Sequence, residues 1–241
     1  MTPMVRLLWL VVLVTACGDT GGERVSVALF ASGTPAREVA IGDTRVVLTR
    51  AELAFGPAYF CASATASAEL CAVALAELRE PTRVSALDPS AQAVGVLAAT
   101  TGTVHSAIYD LGISWLLTQS DAHASAVAPE GHSALLEGIL TKAGRTLRFR
   151  AGIDASPARR GELAVNTQRT EHELTGEGDQ LTLVIDANTW VDRLDVDALF
   201  ALDTDGDGSV VIEKGTTSYD GILMGMVSRA PLGLRWGRSA P

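Results

Sequence analysis

Apolar residues recur at every second position in run after run of this chain, and that spacing belongs to strands with one buried face. Leu147, Phe149, Ala151 and Ile153 point one way while Arg148 and Arg150 point the other. A second run sets Ala107, Tyr109, Leu111, Ile113, Trp115 and Leu117 opposite Ser106, Asp110, Gly112 and Ser114. Residues 25–30, 45–55, 133–142 and 181–187 repeat the pattern, and a last strand turns Leu232, Leu234 and Trp236 inward. Turn-forming clusters at 142–145, 154–161 and 176–179 separate these runs. Many short strands with polar turns predict a mainly β fold, an antiparallel β-sandwich or open barrel, rather than βαβ units. Two stretches have helical spacing instead: 190–202, with Val191, Leu194, Ala198, Leu199 and Leu202, and 219–227, which follows Ser218 as an N-cap. One or two short helices near the C-terminus are therefore expected.

The N-terminus has a different logic. Arg6 supplies a positive charge, residues 7–14 an apolar core, and Thr15-Ala16 the small residues required next to a signal-peptidase cut. A transmembrane helix needs about 20 predominantly apolar residues, but here the run stops at Val14 and Gly18-Asp19-Thr20-Gly21-Gly22 follows Cys17. The alternative is a buried first helix or strand of the folded domain. Val14-Thr15-Ala16-Cys17 resembles the bacterial lipobox. The resemblance implies diacylglycerol transfer to the Cys17 sulfur, cleavage after Ala16 and acylation of the new N-terminus, with palmitate among the chains. Such an anchor is stable because each buried CH₂ contributes roughly 0.8 kcal/mol. In Gram-negative lipoproteins an Asp after the lipidated Cys retains the protein in the inner membrane. Gly18 occupies that position, so the resemblance implies the outer membrane, facing the periplasm or the cell surface. The organisation expected is a signal peptide over 1–16, a lipidated Cys and tether over 17–24, and a single domain over 25–241.

The formal net charge is −9, and cleavage after Ala16 removes Arg6 and no acid, which takes it to −10. An acidic surface repels phosphate backbones, so nucleic acid is not expected as a partner, whereas cations suit it. With Cys17 used by the lipid, Cys61 and Cys71 remain and are expected to form one disulfide in an oxidising compartment. Closing a loop of that length contributes roughly 3 kcal/mol in chain-entropy terms. A redox or metal-binding pair is the alternative, but the spacing fits neither CxxC nor a zinc knuckle.

The most chemically specific stretch is Asp203-Thr204-Asp205-Gly206-Asp207-Gly208. Calcium takes six to eight oxygen ligands, and carboxylates at positions 1, 3 and 5 converge when a glycine at position 6 permits a sharp turn. The stretch resembles the first half of an EF-hand or dockerin-type loop. That implies one Ca²⁺ held by Asp203, Asp205 and Asp207, the Ser209 carbonyl and, after rearrangement, Glu213 or Asp220, with Val210 making a short β-like contact. Position 12 of loop 203–214, where an EF-hand has a bidentate Glu, is Lys214. A solvated Asp/Gly turn without an ion is the alternative.

No G-x-S-x-G, HExxH, P-loop or GxGxxG occurs; Gly112-Ile113-Ser114-Trp115-Leu116 lacks the second glycine of a nucleophile elbow. Asp192, Asp195 and Asp197 fit a solvated helix face or a contribution to ion affinity better than paired acid–base carboxylates. Trp115 and Trp236 fall on apolar strand faces and are expected in the core. The expectation is a non-enzymatic binding or structural module at the cell envelope, with an envelope protein or ligand of unknown kind as partner. The region from Gly131-His132-Ser133 to Leu232-Gly233-Leu234-Arg235-Trp236 also resembles periplasmic sandwich lipoproteins of the methanobactin-associated, copper-binding type. That resemblance has no matching ligand motif and assigns no copper residues. A metal-handling, copper-binding module using some of His105, His123, His132 and His172, which are scattered singly with no i,i+2 or i,i+4 pair, is the alternative; an envelope hydrolase is a third.

Overall fold

The computed structural model describes residues 22–64, 71, 73–176, 178–204 and 206–238, and within them most of the period-two runs are strands. In chain order these are β1 (Arg24–Gly33), β2 (Val39–Ile41), β3 (Thr44–Phe55), β4 (Ala58–Cys61), β5 (Ala74–Leu78), β6 (Thr82–Ser85), β7 (Gln92–Thr100) and β8 (Gly102–Tyr109). There follow β9 (Ile113–Ser114), β10 (His123–Ala124), β11 (Ala134–Lys142), β12 (Arg145–Ile153), β13 (Val165–Leu174), β14 (Asp179–Ile185), β15 (Ser209–Val211) and β16 (Gly233–Arg238). Two short helices, α1 (Val196–Leu202) and α2 (Thr217–Met224), lie near the C-terminus, the second running into a π-helical turn at Gly225–Arg229. The mainly β expectation holds. No helix among the described residues is long and apolar enough to cross a membrane.

One sheet runs β13-β8-β4-β5-β7-β1-β14-β16, and the other runs β15-β12-β11-β3, with β2 and β6 pairing successive halves of β3. Most pairings are antiparallel, but β1 lies parallel to β14 and β15 parallel to β12. The hairpin between β11 and β12 shows why the sequence folds this way locally. Ala143 and Gly144 both have positive φ, 48° and 80°, which matches the right-handed twist of the flanking strands. The register Lys142↔Arg145 then carries Leu147, Phe149, Ala151 and Ile153 onto the inner face, all fully or almost fully buried.

β3 keeps its inward face only by changing parity. Thr44, Val46 and Leu48 point inward, then Ala51, Leu53 and Phe55, because one extra residue at Thr49 bulges out opposite the Glu137/Gly138 step of β11. The inner faces of both sheets enclose one core that includes Phe55, Phe60, Tyr109, Trp190 and Tyr219.

The eight-stranded sheet curls until its end strands, β13 and β16, face each other, so that it nearly closes as a barrel. Among the described residues no backbone ladder joins the two, and side chains do so instead. Gln168 Nε2 donates to the Leu232 carbonyl, Tyr109 Oη donates to Gln168 Oε1 (2.8 Å), and Trp236 Nε1 donates to Thr170 Oγ1 (2.8 Å). The His172 ring stacks on Trp236 at 4.6 Å and 4°. A side-chain seam of this kind shields two strand edges that would otherwise offer unpaired backbone groups to another chain.

The run expected to continue from Ala107 to Leu117 ends at Tyr109. Asp110 turns the chain and Gly112 has φ +75°, so Trp115 and Leu117 leave the strand face; Leu117 is exposed. The 190–202 helix starts only at Val196, because Asp195 caps it by accepting from the Ala198 N–H. The second helix is capped by Thr216, which accepts from the Tyr219 N–H; Ser218 instead accepts from the Asp195 N–H. Cys61 and Cys71 form the expected disulfide, with Cα atoms 5.7 Å apart.

Candidate functional site

In the acidic loop, Asp205 lies outside the described residues. Asp203 follows α1 directly, and its nearly buried carboxylate accepts from the Gly208 N–H (3.1 Å). Gly208 has φ +73°, a conformation that side chains resist, so the turn expected at position 6 is formed. Arg145 Nη2 lies 3.5 Å from the second Asp203 oxygen, and the guanidinium sits over the Phe200 ring at 5.2 Å. Asp207 accepts from the backbone and hydroxyl of Ser209 (2.7 and 2.8 Å). Val210 makes the expected β-like contact, opposite Phe149 of β12.

The closing half of the loop goes elsewhere. Lys214 Nζ lies 3.8 Å from Asp154 Oδ2, and Glu213 is exposed with its carbonyl taken by Thr216. A carboxylate offers about four lone-pair sites, so Asp203, which accepts from the Gly208 N–H, retains acceptor capacity for a cation. Arg145 already offsets part of the Asp203 charge.

The other acids of this region have local work. Asp192 pairs with Arg229 (2.8 Å), Asp195 caps α1, and Asp197 pairs with Lys142. The histidines are dispersed. His105 is on β8, His123 on β10 opposite Ser114, His132 bonds Asp154 through Nδ1 (2.7 Å), and His172 bonds Asp179 through Nε2 (3.1 Å). Among the described residues no three His, Cys, Asp or Glu side chains converge as a metal-holding group.

A site that the sequence reading missed lies where β8 ends. A cavity of about 220 Å³ is walled by Pro57, Tyr59, Trp115, Leu117 and Leu163, with Asp110 in its lining and Glu162 beside it. Asp110 is 2 % exposed. It accepts from the Ala164 N–H (2.8 Å) and from the Ser114 hydroxyl, and no basic side chain pairs with it among the described residues. Burial pushes its carboxyl up to about 6, against the lowering effect of those two hydrogen bonds. The Tyr59 hydroxyl is pushed up too, by burial first and then by the negative charge of Glu77 and Asp110.

Trp115 Nε1 is buried without a hydrogen-bond partner among the described residues, a state that costs about 1–3 kcal/mol. Its carbonyl accepts from the Gly161 N–H (2.7 Å), and the 116–119 turn closes on itself through Gln119. The rim therefore has its own supports. The disulfide stands behind the same wall, since Cys61, Cys71, Ile108, Leu163 and Tyr59 pack together. The signal available in the sequence was Asp110 beside Gly112: an acid and a glycine interrupting an apolar alternation.

The site and the first described residues are at opposite poles. Glu23 is stapled to the β7–β8 turn, donating to Thr101 Oγ1 and accepting from the Thr101 N–H (both 2.9 Å). β8 then runs eight residues away from that turn to Tyr109, about 26 Å at roughly 3.3 Å per residue. Comparison with protein-family models, with curated proteins and with solved structures finds no match.

Proposed function

We infer that this protein is a lipid-anchored, non-enzymatic binding module of the bacterial cell envelope, stabilised by calcium at its acidic loop. What carries the reading is the apolar cavity with a buried acid at the pole opposite the β7–β8 turn. Four residues separate Cys17 from Gly22, where the described chain begins. An acyl anchor on Cys17 holds the β7–β8 pole near the bilayer and leaves the cavity facing the aqueous side. Replacing Cys17 by Ser is expected to move the protein from the membrane fraction to the soluble fraction. A Cys17→Ser protein that still pellets with membranes would falsify the anchor.

Calcium is the expected ion, with Asp203, Asp205, Asp207 and the Ser209 carbonyl as its ligands and Glu213 the carboxylate nearest in sequence to the vacated closing position. The ion offsets repulsion among three clustered carboxylates and ties α1 to β15. At a hundredfold excess over its dissociation constant it contributes about 2.7 kcal/mol, which for a chain of this size raises the melting temperature by about 5–10 °C. The rise is expected to disappear in Asp203→Ala/Asp207→Ala. A titration with neither heat nor thermal shift reduces the stretch to an Asp/Gly turn held by Arg145.

A further inference from the structure

We propose that the cavity beside Asp110 and Trp115 takes a small organic cation: an ammonium group on an apolar body, with an oxygen acceptor close to the nitrogen. The proposal rests on the binding-module reading above and names the ligand class of that site.

Three features point to such a ligand. The Asp110 carboxylate is almost wholly buried, and its two recorded donors, the Ala164 N–H and the Ser114 hydroxyl, are neutral. A buried carboxylate is ordinarily paired with a cation, and the described residues supply none. Two aromatic rings, Tyr59 and Trp115, share the lining, and ring faces attract ammonium groups, more strongly when water is excluded. The buried Trp115 Nε1–H has no acceptor among the described residues, and the ligand's oxygen would supply one.

The remaining wall is apolar, from Pro57, Leu117 and Leu163, which matches a hydrocarbon body. Size sets the scale. A cavity of about 220 Å³ is below the roughly 300–1,000 Å³ usual for drug-sized ligands, so the occupant is an amine with one ring or a short branched chain. The charged and titratable groups near Asp110 are Tyr59 on β4, with Glu77 and its ion-pair partner Arg79 behind it, and Glu162 in the lining; the Arg79 side chain is 76 % exposed. The nearest guanidinium to Glu162, that of Arg159, is 4.0 Å away and points to solvent, with 83 % of its side chain exposed.

The test uses the mature chain carrying Cys17→Ser, titrated calorimetrically and by tryptophan fluorescence with two probes that differ only in the amine. These are phenylalaninol, a cation with a hydroxyl, and 3-phenylpropan-1-ol, its neutral counterpart. Phenylalaninol is expected to bind at least about tenfold tighter near pH 7.5. Its affinity is expected to fall by up to about tenfold per pH unit below pH 6, as Asp110 takes up a proton. Asp110→Asn keeps an oxygen acceptor for the Ala164 N–H and is expected to abolish the preference for the amine over the alcohol.

Equal affinity of the two probes for the parent chain overturns the cation and leaves the cavity a ligand site. Failure of both probes to bind the folded parent overturns the ligand class and the binding reading of the cavity together. If Asp110→Asn does not fold, the comparison of probes and the pH series on the parent chain decide the question alone.

Discussion

Asp179→Ala is expected to lower stability at pH 7 by about 3–5 kcal/mol, the usual cost of removing one partner from a buried charged cluster. For a chain of this length that is a fall in melting temperature on the order of 10 °C. The Asp179 side chain is completely shielded and is the hub of the seam. Its Oδ2 accepts from the Thr175 and Gly176 N–H groups (2.7 and 3.0 Å), and its Oδ1 faces His172 Nε2 (3.1 Å) and Arg238 Nε (3.4 Å). Alanine leaves two backbone donors unsatisfied in the turn between β13 and β14. It also releases the His172 ring from one of its two restraints, the other being the stack on Trp236.

The same cluster gives the acid limb its form. Burial raises the Asp179 carboxyl, but the hydrogen bonds from Gly176, Thr175 and His172, with the charge of His172, outweigh it and hold the group below its ordinary value. A carboxyl whose folded-state value is depressed contributes stability that is fully present above its unfolded value, about 4, and is lost as pH falls through the folded one. The gap between parent and Asp179→Ala in urea unfolding should therefore be full at pH 7 and narrow below about pH 4. A gap under about 1 kcal/mol at pH 7, within the range of an ordinary exposed pair, or one that does not change with acid, would remove Asp179 from its place as the hub.

How far the fold was legible depends on how local its cause is. The faces of β12 follow from alternation alone, because a two-residue turn fixes the register and nothing interrupts the strand. β3 also alternates apolar and polar residues, yet a constant period of two places either its first or its second half on the wrong face. Its bulge at Thr49 lies opposite the Glu137/Gly138 step of β11, a strand distant in sequence. The run through Leu117 fails for a related reason: the pattern continues in sequence while Gly112 takes the chain off the sheet. The parallel contact of β1 with β14 joins segments some 150 residues apart and has no local signal. In the acidic loop the turn and the Val210 contact were legible because glycine and alternating acids are local devices. The pairing of Arg145 with Asp203 was not, since it depends on β12 lying alongside. The cavity is the extreme case. Residues 57–59, 110–118 and 161–163 each read as ordinary strand or turn, and only the way the sheet curls brings Asp110, Tyr59 and Glu162 to one concave surface.

Trp190→Ala is expected to match the Asp179 change in size through a different cause. Trp190 is 1 % exposed and among the largest fully buried side chains; its Nε1 donates to the Ala230 carbonyl (3.3 Å). It precedes α1 and lies under the π-helical turn after α2, packed so closely that a Cβ on Gly225 would come within 2.9 Å of the Trp190 Cα. Truncating a buried tryptophan costs about 3–5 kcal/mol, from lost transfer energy and the cavity left behind. The damage is expected to spread to the seam, because Ala230 is two residues before Leu232, whose carbonyl is the acceptor for Gln168. Trp190→Phe keeps most of the buried surface and loses one hydrogen bond, so about 1 kcal/mol is expected from that loss. The two variants thus separate packing from polarity at one position. If Trp190→Ala unfolds in one transition, shifted down by roughly 10 °C, the helical segment that follows the acidic loop belongs to the same cooperative unit as the barrel. A first transition at low temperature with the main one unmoved would mean that residues 190–230 fold on the barrel as a separate layer, and that an ion in the loop stabilises this layer alone.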